Sequence, residues 1–160
     1  MSLIEWQDDY RTGIPGVDHE HRELIRQVNE IYAMIDRQAD RDAVIDGLGD
    51  IYGNISAHFA LEEQMMEKHR YDHFREHQAD HNRLLDDIRD ITLAYENAEQ
   101  LDTEAFKKKL NDWFQIHFST HDARLHKLAR LMQHDKVTES RMQTMIRAAK
   151  NALLGNRRHG

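Results

Sequence analysis

Cysteine is absent from all 160 residues. This excludes disulfides, thiolate zinc sites and cysteine-held iron–sulfur clusters. Proline occurs once, at Pro15, and glycine seven times, so long helices are permitted nearly everywhere after Pro15. No apolar run approaches the ~20 residues that span a bilayer. Glu5, Asp8, Asp9 and Arg11 stand where a signal peptide needs an apolar stretch, so a cytoplasmic location is the expectation. What the chain does contain is 39% hydrophobic and 32% charged residues. That composition suits one soluble helical domain large enough for a real core.

Charge is distributed unevenly. Residues 136–160 hold six basic groups and one acid, a balance of +5; the whole chain is −7, which leaves −12 on residues 1–135. An acidic body argues against nucleic acid as a partner. The basic tail reads first as a solvated helix face and second as an interaction element.

Hydrophobic periodicity predicts four long helices. The first runs from Asp18 to Arg37, with Leu24, Ile25, Val28, Ile31 and Ile35 on one face. Asp40 or Asp42 can cap a second, which reaches about Lys68 and carries Ile45, Leu48, Ile51, Ile55, Phe59 and Met66. Asp72 can cap a third, to about Glu96, with Leu84, Leu85, Ile88, Ile91 and Leu93. Asp102 or Thr103 starts a fourth that continues through Phe106, Leu110, Trp113 and Phe114 to Leu125 and Leu128. Short connections make neighbours antiparallel. The expected fold is all-α: an antiparallel up-down-up-down four-helix bundle with an N-terminal arm and a C-terminal extra helix. Residues 1–134 form the bundle domain and 135–160 a basic amphipathic extension. Within that extension, 138–154 reads as a shorter fifth helix whose Met142, Met145, Ile146 and Ala149 lie on the bundle or on a second subunit.

The chemistry lies in histidines. His58 and Glu62 are four apart, as are His77 and His81, a spacing that puts each pair on one helix face. His21 lies on the first helix, and His117 and Asp122 on the fourth. Imidazole suits iron, zinc and copper, and a carboxylate can join two metals. In an antiparallel pair, residues at one height are equidistant from the turn. The midpoints between successive ligand groups fall near residues 40, 70 and 99, all in predicted turns, given a constant rise of about 1.5 Å per residue. All four groups therefore share one level.

Two competing ligands arise. His73 is i−4 from His77, but that pair moves the midpoints off centre and puts His73 at the helix mouth. His121 is i+4 from His117, but a neutral imidazole does not normally bridge two metals, which favours Asp122. His19, His69, His126, His134 and His159 read as hydrogen-bonded core or boundary residues. A ferritin-like di-iron oxidase needs Glu-x-x-His pairs, and the chain has none.

At these residues the chain resembles the hemerythrin family, most closely its bacterial members. Trp6, Tyr10, Gly13-Ile14, Asp18-His19-Glu20-His21 and Leu24 match the family's opening. His58-Phe59-Ala60-Leu61-Glu62-Glu63 with Met66, then Tyr71, His77 and His81, then Trp113, His117 and Asp122, match its helix motifs. The resemblance spans about residues 3–132. It implies two iron ions per chain with a bridging oxo or hydroxo group. Glu62 and Asp122 would bridge; His77, His81 and His117 would hold one iron, and His21 and His58 the other, which keeps an open position. It further implies reversible O2 binding there, for storage, delivery or sensing, rather than enzymatic turnover. Leu24, Phe59, Trp113, Phe114 and Phe118 would wall the O2 pocket. The alternative is a di-iron redox enzyme or sensor acting on peroxide or NO. The expected partner is O2, with no nucleic acid and no membrane span. A second copy or another protein could attach through the C-terminal helix.

Overall fold

A computed structural model of the chain describes residues 4–97 and 102–156. His159 lies outside them. Five α-helices carry the fold: α1 (Pro15–Asp36), α2 (Arg41–Lys68), α3 (Phe74–Asn97), α4 (Thr103–Thr120) and α5 (His126–Asn156). Single 3₁₀ turns occupy Asp8–Tyr10 and Asp122–Leu125. The all-α bundle expected from the periodicity is what forms. No helix among the described residues is long and apolar enough to cross a membrane.

Helix starts follow local chemistry. Pro15 sits at the first helical position of α1, where its fixed φ fits and its missing N–H costs nothing. The helix therefore begins three residues before Asp18. Asp18 is buried and accepts from the Thr12 backbone N–H at 2.7 Å and from its hydroxyl at 2.8 Å, which ties the arm to α1. Farther out, Ile4 and Asn29 exchange two hydrogen bonds at 3.0 and 2.8 Å. Asp102 caps α4 by accepting from the Ala105 N–H at 3.0 Å. Asp72 lies two residues ahead of α3 instead of capping it.

Two helices end in Schellman motifs. Ala39 N–H donates to the Met34 carbonyl and Gln38 N–H to that of Ile35; Tyr71 and Arg70 repeat this on Met66 and Glu67. Both motifs need a left-handed residue, and the chain supplies Gln38 (φ 54) and Arg70 (φ 53) rather than glycine. Left-handed backbone costs a non-glycine residue roughly 1–2 kcal/mol. Gln38→Gly should therefore stabilise the fold by about 1 kcal/mol, read as a higher urea midpoint at unchanged slope.

The predicted core largely packs as expected, but Ile45 is only half-buried and Leu93 is exposed. Leu93 is two residues from buried Ile91, on the far side of α3. The core is divided. A large cluster includes Leu24, Phe59, Leu84, Phe114 and Phe118, and a smaller one Val17, Met66, Tyr71, Leu125 and Leu128. On α1 and α3 the predicted ligands fall between the two, and on α2 and α4 His58 and His117 sit one residue from Phe59 and Phe118 at the edge of the large one.

The fourth and fifth helices depart from expectation. α4 stops at Thr120 instead of continuing to Leu128, and α5 is a 31-residue helix rather than a short one over 138–154. No glycine or proline lies between Gly53 and Gly155 to interrupt it. Leu128 is buried, yet every residue from Gln133 to Leu154 is exposed. Met142, Met145, Ile146 and Ala149 therefore do not lie on the bundle.

Candidate metal centre

All seven predicted ligands are buried and converge at one level of the bundle. α1 supplies His21; α2, His58 and Glu62; α3, His77 and His81; and α4, His117. Five residues on an α-helix turn through about 500°, which points residue i+5 roughly 140° away from residue i. Asp122 reaches the cluster because α4 has ended and a 3₁₀ turn begins there.

The carboxylates organise the imidazoles into two groups. Glu62 Oε1 lies 3.0 Å from His21 Nε2 and 2.8 Å from His58 Nε2. Its other oxygen, Oε2, lies 3.1 Å from His81 Nε2 and 3.6 Å from His77 Nε2. Asp122 Oδ1 lies 2.9 Å from His77 Nε2 and 3.0 Å from His117 Nε2, and Oδ2 lies 3.3 Å from His21 Nε2. Each carboxylate thus turns one oxygen toward His21, joined at Glu62 by His58, and the other toward members of the trio His77, His81 and His117.

Most of these approaches are not hydrogen bonds. The Nε2 atoms of His58, His77, His81 and His117, Glu62 Oε2 and both Asp122 oxygens are buried without a hydrogen-bond partner. Orphaned polar atoms normally cost ~1–3 kcal/mol each, and a native interior rarely leaves several together. Imidazole Nε2 atoms and carboxylate oxygens that converge in a dry pocket with few hydrogen-bond partners are the donor types a cation takes once any ring protons leave, so the set fits one or more metal ions.

Three carboxylates that received no role from the sequence hold the imidazoles from behind. His58 Nδ1–H donates to Glu20 Oε2. His81 Nδ1–H donates to Glu63 Oε1 at 2.9 Å, and His117 Nδ1–H to Asp80 Oδ2 at 2.6 Å. Such bonds set the tautomer and aim Nε2 at the centre. Glu63 and Asp80 each adjoin a ligand in sequence, and Asp80 is a buried acid; only their neighbours' role in the site could have marked them.

The competing histidines stay outside. His73 is one-third exposed, near Asp72 and Glu76. His121 caps α4 with its Nε2 3.6 Å from Asp80 Oδ2, and burial lowers its pKa. Of the remaining histidines, His69 is a boundary residue bonded to Asp135, whereas His19, His126 and His134 are exposed rather than core.

Aromatic rings line the cluster. Phe59 stacks on His81 with centroids 3.6 Å apart, and Trp113 on His117 at 4.8 Å. Phe118 leans on His21 at 4.8 Å, and Phe114 meets both Trp113 and Phe118. Leu24 is buried beside a surface groove that reaches His58.

Burial disfavours protonation of His58, but Glu62, Glu20 and Asp122 outweigh it and raise its pKa to about 9. Burial likewise opposes protonation of His117, but Asp122, Asp80 and Glu62 raise it to about 10. Burial works against ionisation of Glu62 and Asp122 as well, yet the facing imidazoles hold both below the usual carboxylate range. Near neutral pH, metal must displace protons from His58 and His117. Divalent-ion binding to the metal-free chain should then release about two protons and tighten as pH rises from 7 toward 9. Titration with anaerobic Fe(II) and a pH indicator checks this; pH-independent binding without proton release would contradict it.

Comparison with known proteins agrees with this geometry. The family model described as the hemerythrin HHE cation binding domain matches residues 12–146. A bacteriohemerythrin of Stenotrophomonas maltophilia is 27% identical over 122 residues, covering 76% of this chain and 78% of that protein. One from Pseudomonas aeruginosa is 26% identical over 125 residues, covering 77% and 79%. A crystal structure of a hemerythrin point mutant superposes with a TM-score of 0.72 at 22% identity, over 81% of this chain and 98% of that one, which is a likeness of fold.

Proposed function

The chain belongs to the hemerythrin family, and on that premise we propose that it is a non-haem di-iron protein that binds O2 reversibly, not an enzyme. One observation carries this reading. Glu62 and Asp122 each divide their two oxygens between a two-histidine and a three-histidine group, as two shared cations require. His21 and His58 form one half of the cradle; His77, His81 and His117 form the other. Two ferrous ions, when bound, supply the electrons that O2 takes up on binding and returns on leaving.

The protein's own contribution is position, asymmetry and dryness. Five imidazoles from four helices are held in place by packing and, at His58, His81 and His117, by carboxylates behind them. The His21/His58 half has one protein donor fewer than the other, so a small neutral ligand finds room there. Phe118 and Leu24 border that half, while Phe59 and Trp113 cover His81 and His117 of the other and Phe114 packs behind them, and together they limit water at the site. Water and stray protons would favour irreversible oxidation over release.

The test is the optical spectrum of the anaerobic, iron-loaded protein before O2, after O2 and again under vacuum. The expected result is a new absorption that reverses on evacuation. Leu24→Asn should hasten conversion to the diferric form while retaining iron, because Leu24 is a wall and not a ligand. Immediate irreversible oxidation of the unmodified protein at every temperature would sink the reading and favour a redox enzyme or sensor.

A further inference from the structure

From Gln133 to Leu154 α5 stands exposed, yet it is amphipathic. Met142, Met145, Ile146, Ala149 and Leu153 recur at helical spacing. Met142 is 58% exposed, Met145 72% and Leu153 70%, so the stripe is uncovered. Lys136, Arg141, Arg147 and Lys150 flank it against a single acid, Glu139. Among the described residues, none from Lys136 onward makes a hydrogen bond or ion pair with the bundle. In folded proteins most helical stability comes from packing an amphipathic face, and this face has nothing packed on it among the described residues.

A matching surface lies on the bundle. Leu61 on α2 is 43% exposed and borders two shallow grooves. The groove between α1 and α2 is lined by Leu24, Ala57, Glu20 and Glu23, among others. The groove between α2 and α3 is lined by Ala60, Phe74, Glu63 and Glu67, among others. Glu23 is already bonded to Arg26. Glu20 and Glu63 hold His58 and His81 from behind, and with exposed Glu67 they form an acidic rim around an apolar centre.

We propose that these surfaces meet between two copies of this chain: the exposed part of α5 from each copy seats its apolar stripe on the Leu61 face of the other. Charge selects this pairing. Residues 1–132 carry −11, whereas the arm Gln133–Leu154 carries +2, from Lys136, Arg141, Arg147 and Lys150 against Asp135 and Glu139. Body on body repels and arm on arm repels; only arm on body brings opposite charges together. The arrangement is reciprocal, so two copies close into a symmetric dimer with both arms covered. The arm extends about 30 Å, enough to lie along α2 across both grooves. Seated there, it covers the groove that reaches His58.

Sedimentation equilibrium of the iron-loaded 160-residue chain tests this. A dimer is expected at low salt, weakening as ionic strength approaches about 1 M. M145E/I146E on the arm and L61R on the face should each weaken it by about tenfold or more, with unchanged helicity and iron content. An equimolar mixture of the two variants should recover dimer, because it contains one intact arm and one intact face. Since the chain has no cysteine of its own, M145C mixed with A60C should form a disulfide-linked heterodimer under mild oxidation. A wild-type protein that stays monomeric overturns the proposal, including one that is monomeric and co-sediments with phosphatidylglycerol vesicles through α5. So does an L61R dimer as tight as wild type, which would mean arm pairing with arm.

Discussion

The Glu62→Ala variant is expected to lose both metal ions together, whereas His58→Ala should impair mainly one. The reason is the division of the carboxylate. Glu62 Oε1 faces His21 and His58, and Oε2 faces His81 and His77. No imidazole in the cluster serves both halves in this way. Losing an outer partner of a ligand alone costs 10–100-fold in affinity, so loss of a shared ligand should exceed about 100-fold for both ions. The Nε2 atoms would also keep only Asp122 as a carboxylate facing them, since Glu20, Glu63 and Asp80 sit behind the rings, which leaves the bound cations less well neutralised. Iron per chain, measured after gel filtration, should fall from two toward zero. Full retention of one tightly held ion would show that the carboxylate is not shared. Glu62→Gln keeps the volume and should lose metal nearly as well, which separates charge from packing.

Asp80→Ala carries the second largest expected effect. Asp80 is nearly buried and accepts from His117 Nδ1–H at 2.6 Å. Burial works against its charge, yet that bond and the His117 ring lower its pKa. Without it, His117 keeps a buried donor with nothing to receive it, and its ring is free to turn. Affinity at the three-histidine half should drop by about 10–100-fold, read by competition with a chelator. The two-histidine half should change less. His73→Ala and His121→Ala serve as controls and should leave both iron content and O2 response near wild type. A chelator curve for Asp80→Ala that overlays the wild type would remove Asp80 from the site; iron lost from His73→Ala would put the register of α3 wrong by one turn.

These two expectations rest on different kinds of information. Glu62 could be singled out from the sequence, because His58 and Glu62 share a face at i, i+4 and the midpoints of the bundle put every ligand group at one height. Asp80 could not. It precedes His81 in a segment rich in acids and histidines, and nothing local distinguishes it from Asp86 or Asp87. Its role comes from α4, which brings His117 against it from 37 positions away. Glu20 and Glu63 were visible as motif members, but their bonds to His58 and His81 needed α1, α2 and α3 to be assembled.

The sequence by itself determined the all-α class, the four helical faces and the level at which five histidines and two carboxylates meet. Periodicity and equal rise per residue carry that information, and neither depends on packing detail. Tertiary structure alone decided three things. It divided the carboxylate oxygens between two and three imidazoles, because that division depends on side-chain rotamers set by neighbours on other helices. It swung Asp122 inward by ending α4 at Thr120; an uninterrupted helix would have pointed residue 122 away. It also carried α5 past the bundle as one long helix. The periodicity of 138–154 showed an apolar stripe but could not say what covers it, since burial is a relation between segments and not a property of one.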